Sequence, residues 1–86
     1  MKVIMKPIEM IAMFKEKGAP VPIKCRFKQN NKETVIKVDN IVSVAEEKLA
    51  GNKMYRYHCQ SDINGRVKDF ELKFELSTCK WFLYKM

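Results

Sequence analysis

The dipeptide Asn64-Gly65 lies between two runs in which apolar and polar residues alternate. Both of its residues readily take positive φ, which a tight two-residue hairpin turn requires. Upstream, Tyr55, Tyr57 and Cys59 alternate with Arg56, His58 and Gln60; downstream, Phe70, Leu72, Phe74 and Leu76 alternate with Asp69, Glu71, Lys73 and Glu75. A period of two is the signature of a half-buried strand. The sequence therefore predicts a β-hairpin of residues 53–61 with 66–76. Val67 is out of phase with Phe70, which predicts a bulge near Lys68.

Other segments follow the same logic. In residues 21–28, Val21, Ile23, Cys25 and Phe27 share one face, while Lys24, Arg26 and Lys28 share the other. This reads as a strand with a basic outer face. Residues 34–42 are rich in β-branched side chains and predict another strand, entered through the polar turn Gln29-Asn30-Asn31-Lys32. Residues 80–86 are apolar on both faces and suit a strand covered on both sides. Residues 8–17 read as a strand leading into the basic one, although Pro7 and Gly18 also resemble helix punctuation. Ser43-Val44-Ala45-Glu46 matches a helix capping box and Gly51 a helix end, so a short helix is expected near 44–50; a bending strand is the alternative. The expected fold is mainly β: a single domain over 1–86, an antiparallel meander of five or six strands forming a small barrel or roll, with that one helix.

Composition narrows the function classes. The chain has 86 residues, 17 Lys or Arg and 10 Asp or Glu, a net charge of +7. Residues 1–32 carry +6, residues 33–52 carry −2 and residues 53–86 carry +3. Such a charge attracts anionic partners at long range, although a basic balance also simply aids solubility. Cys25, Cys59 and Cys79 form an odd, sparse set, which predicts free thiols and a cytoplasmic location. Lys6, Pro7 and Glu9 interrupt the first apolar stretch, so it does not read as a secretory leader, and no run approaches the ~20 apolar residues of a membrane span.

The order of these segments resembles a known group. A first strand leads through Gly18-x-Pro20-x-Pro22 into the basic strand; a Val-rich strand, an aromatic strand with Tyr55 and Tyr57, a Gly turn and a closing Trp81-Phe82-Leu83-Tyr84 follow. Over residues 8–84 this is similar to small uncharacterised bacterial β-rich domains encoded beside, or fused to, Y-family translesion DNA polymerases. Those domains carry Trp and Arg where this chain has Ala45-Glu46-Glu47-Lys48. The resemblance implies a small β domain linked to DNA metabolism, and it carries over no active-site residues.

Lys24, Arg26 and Lys28 recur about every 6.5–7 Å along their strand, close to the phosphate spacing of one nucleic-acid strand. With Arg56 they form the candidate contacts to single-stranded or duplex nucleic acid; the plain alternative is that they solvate an outer face. Tyr55, Tyr57, Trp81 and Tyr84 would complete a stacking platform if exposed, although the phase of Tyr55 and Tyr57 points them inward. Trp81, Phe82 and Tyr84 are the candidate anchors for a homodimer or a protein partner. No metal site is expected: His58 and Cys59 are adjacent, and on a strand they face opposite ways. No cofactor is expected, and no nucleophile–base pair, Gly-rich phosphate loop or HExxH supports catalysis. The expected function is a non-enzymatic nucleic-acid-associated module, with a protein-interaction or dimerisation module as the alternative.

Overall fold

A computed structural model describes residues 1–86. The chain forms seven strands and no helix: β1 (Val3–Met13), β2 (Val21–Gln29), β3 (Lys32–Lys37), β4 (Asn40–Leu49), β5 (Asn52–Ile63), β6 (Arg66–Glu75) and β7 (Lys80–Lys85). They make one antiparallel sheet in the order β3-β2-β1-β7-β6-β5-β4. No helix is long and apolar enough to cross a membrane.

β3 and β4 are consecutive in sequence yet occupy opposite edges of the sheet. Seven strands laid flat would put those edges about 29 Å apart. The link from Lys37 to Asn40 is three Cα steps and reaches at most about 11 Å. The sheet must therefore curl until its edges meet at Val38-Asp39. The hydrogen bonds show the transfer. Val38 N–H still donates to Ile23 of β2 at 2.8 Å, whereas Asp39 N–H donates to Ser61 Oγ of β5 at 3.1 Å, and Asp62 N–H donates to Asp39 Oδ2 at 2.8 Å. The six antiparallel steps from one edge to the other leave β3 and β4 pointing the same way. They act as one long extended segment that leaves β2 and joins β5. No ladder closes the gap, so the sheet is a curled, open one and not a barrel.

The concave face holds the core. Cys25 and Phe27 from β2, Ile36 from β3, Tyr57 and Cys59 from β5, Phe70, Leu72 and Phe74 from β6, and Trp81 and Leu83 from β7 pack into one cluster. The connection 14–20 covers one end of it. Tyr57 donates its hydroxyl hydrogen to Pro20 O at 2.5 Å, and the Phe14 ring meets Phe74 edge-on at 5.8 Å. Pro7 sits inside β1 without breaking the sheet. The β2 ladder begins only at Glu9, so on that side no amide hydrogen is needed at residue 7.

Four expectations need correction beyond the strand count. Residues 44–49 are part of strand β4 and Ala50 begins the following turn, so the strand alternative holds and the helix does not. An isolated helix of two turns is marginal, and the pairing of Glu46, Glu47 and Lys48 with Tyr55, Met54 and Lys53 outweighs the capping signal. No bulge occurs near Lys68; Asp62 pairs regularly with Val67, which simply stands exposed on the outer face. Residues 8–17 are not all strand, because β1 ends at Met13. In β2 the alternation slips at a register shift beside Ile11: Pro22 takes the buried position and Ile23 is exposed.

Three hairpins turn through two residues of positive φ: Asn30-Asn31, Ala50-Gly51 and Asn64-Gly65. Ala50, at φ 50°, is the exception in chemistry, because its Cβ crowds the carbonyl without a polar side chain in compensation. Ala50→Asn is expected to stabilise the fold by about 0.5–1 kcal/mol, read as a higher urea midpoint. An unchanged or lower midpoint would show that the turn is not strained.

Candidate nucleic-acid interface

Lys24, Arg26 and Lys28 project from the outer face of β2, as their alternation with buried Cys25 and Phe27 requires. Their neighbours come from β1 and β3. Arg26 places Nη2 2.7 Å from Glu9 and Nη1 3.6 Å from Glu33, so two carboxylates on adjacent strands engage its guanidinium. Lys24 is directly opposite Lys37 in the β2–β3 ladder, and neither lies within 4 Å of a carboxylate. Lys28 is exposed, and its carbonyl accepts a hydrogen bond from Lys6 Nζ. A groove of about 350 Å³ runs over this face, with Ile11 and Val35 beside the Arg26–Glu9–Glu33 cluster.

Arg56 does not join this group. In the sheet order β1, β7 and β6 separate β5 from β2, and Arg56 has its partners on β4 and β6. Arg56 instead lies 3.2 Å from Glu47 and 4.0 Å from Glu71. Beside it Lys73 is only 6% exposed, although it is on the outer face, with Nζ 3.0 Å from Glu47 and 3.8 Å above the Tyr84 ring. This network is structural. It was not visible in the sequence, because Glu47 lies in the segment that carries helix signals.

The aromatic platform is absent. Tyr57 and Trp81 are buried with ring centroids 5.3 Å apart, Tyr55 is half-buried on the concave face, and Tyr84 lies beneath Lys73. The protein-interaction residues also divide. Trp81 belongs to the core, 4.8 Å from Phe74. Phe82 and Tyr84 are half-buried on the outer face of β7, which pairs with β1 and β6 on either side and has no free edge.

The reactive side chains are dispersed. Cys25 and Cys59 are buried and Cys79 is exposed at the β6–β7 turn. Burial pushes the Cys25 thiol up and the Cys59 thiol up to about 12. His58 Nε2 lies 2.9 Å from Asp69, which His58 and Gln60 hold below its ordinary value. No cluster of three or more His, Cys, Asp or Glu is placed to hold a metal ion. No protein family, curated protein or solved structure matches the chain.

Proposed function

We propose that the protein is a non-enzymatic module that binds nucleic acid through its phosphates, with Lys24, Lys28 and Lys37 as contacts on the outer face of β2 and β3. The observation that carries this reading is the opposition of Lys24 and Lys37, with no carboxylate within 4 Å of either. Like charges directly across a ladder destabilise it. A phosphate seated between them relieves that repulsion, so binding and folding are coupled at this pair. Arg26 is excluded as a principal contact because Glu9 and Glu33 already engage it. Without exposed aromatic rings on this face, bases are not read by stacking. The resemblance to domains linked with translesion polymerases supports the same direction.

Anisotropy of labelled nucleic acid measures the binding. Three phosphate contacts give a salt slope of about −2.7, so affinity for duplex falls about 40-fold between 50 and 200 mM salt. Lys37→Glu supplies the sharper signature. It places a carboxylate opposite Lys24, which stabilises the fold by about 0.5 kcal/mol while weakening nucleic-acid binding. Absence of binding to any nucleic acid at about 50 mM salt would refute the reading.

A further inference from the structure

We propose that the principal grip is at one end of the molecule, the end holding the Asn30-Asn31 and Asn64-Gly65 turns, and that its partner is the backbone of a nucleic-acid duplex. The proposal rests on the phosphate-binding reading above and moves its centre from the face of β2 to this end.

Topology gathers the charges. By the antiparallel order, β1, β3, β4 and β6 start and β2, β5 and β7 end toward the same end of the molecule. Lys28 and Lys32 flank one turn, and Arg66 and Lys68 follow the other. Lys2 and Lys85 lie where the first and last residues pair: Lys2 N–H donates to Met86 O, and Met86 N–H donates to Lys2 O, each at 3.0 Å. Lys6 reaches across from β1 to the Lys28 carbonyl and to the Phe27 ring, 5.8 Å from its centroid. These seven cations share this end with Glu33, Asp62, Asp39 against the Asp62 amide and Asp69 next to Lys68, a local balance of 7 − 4 = +3. The distinguishing feature of this end is therefore not its net charge but that none of its seven cations is engaged by a carboxylate.

None of the four carboxylates neutralises the seven. Glu33 is turned to Arg26, Asp62 accepts from Gly65 N–H at 2.9 Å, Asp39 accepts from Asp62 N–H at 2.8 Å, and Asp69 is held by His58 and Gln60. No lysine or arginine of this end is within 4 Å of a carboxylate, whereas four of the ten elsewhere, Arg26, Lys53, Arg56 and Lys73, are. A concentrated, unpaired cationic surface attracts a polyanion at long range. The choice of duplex over single strand follows from the missing stacking partners. Of the rings that these cations approach, Phe27 is buried and Tyr84 is covered by Lys73 at 3.8 Å and approached by Lys85 at 5.1 Å; the exposed large hydrophobic side chains at this end are the aliphatic Met1, Val3, Ile4, Met5 and Val67. Those aliphatic groups make an anionic membrane the rival partner.

The test compares two triple variants of equal charge. Lys32→Glu/Arg66→Glu/Lys68→Glu alters this end; Lys15→Glu/Lys17→Glu/Lys48→Glu alters the opposite one. All six side chains are exposed, and circular dichroism and thermal melts verify folding. The probes are a labelled duplex of about 20 base pairs, the corresponding single strand and phosphatidylserine vesicles. The first variant is expected to lose at least about 30-fold in duplex affinity and the second less than about fivefold, with the duplex bound more tightly than the single strand. Equal losses in the two variants, equal or tighter single-strand binding, or binding to vesicles but not duplex would each overturn this assignment. Equal losses with nucleic-acid binding retained in the parent would leave the broader phosphate reading standing; loss of all nucleic-acid binding in the parent would remove both.

Discussion

Phe70→Ala is expected to destabilise the protein by about 4 kcal/mol, lowering the urea midpoint by about 3 M. Phe70 is fully buried on the concave face of β6, opposite Cys59 of β5 in the ladder. Truncation removes a ring from the middle of the only core and leaves a cavity between strands that are fixed by their hydrogen bonds. A domain of this length has a total stability of about 4–13 kcal/mol, so the variant sits close to its folding limit. Val67→Ala, three residues earlier on the same strand, is the control. Val67 is 70% exposed, and its loss should change stability by less than about 0.5 kcal/mol. Similar effects at both positions would mean that the concave face of β6 is not the core.

That contrast also marks how far the fold was legible. The β5–β6 hairpin was readable because its signals are local: the alternation of Tyr55, Tyr57 and Cys59, the Asn64-Gly65 turn, and the alternation of Phe70, Leu72 and Phe74. The strand count was not. Residues 34–42 read as one strand because the chain is indeed extended through them; the division into β3 and β4 is a change of partner at Val38-Asp39, set by β2 and β5 far away in sequence. Residues 44–50 failed for the opposite reason. Their local preferences are real, but they are overridden by a ladder with β5 and by the ion pairs of Glu46 with Lys53 and Glu47 with Arg56.

The candidate site was legible in direction and not in company. Alternation placed Lys24, Arg26 and Lys28 outward correctly. It could not show that Glu9 and Glu33 flank Arg26, because they arrive from β1 and β3. Nor could it bring Lys2, Lys32, Arg66 and Lys85 together, since their common position depends on which strand ends coincide. The one local clue was that cations flank the Asn30-Asn31 turn and follow the Asn64-Gly65 turn. The buried tyrosine and tryptophan rings removed the stacking platform, and with it the case for single strands.

Raising the pH should weaken the fold through a thiol that has no evident part in binding. Burial holds the Cys59 proton to about 12, against 9.0 for a solvated thiol. Between those values the unfolded chain loses the proton and the folded chain keeps it, so stability falls as pH rises above 9.0. At about pH 11 the loss from Cys59 alone is about 3 kcal/mol. Cys25 and Tyr57 are shifted upward by the same desolvation and act in the same direction. The measurement is the urea midpoint at several pH values with reductant present. Cys59→Ala separates this thiol from the lysines, which also titrate there: the variant starts slightly less stable at neutral pH and loses about 3 kcal/mol less on going to about pH 11. Thiol labelling reads the same burial independently. The exposed Cys79 should react at once, and Cys25 and Cys59 only as the chain unfolds. An equal alkaline loss in parent and variant, or three thiols reacting together in the folded protein, would show that the concave face admits water and that the sheet is looser than its hydrogen bonds imply.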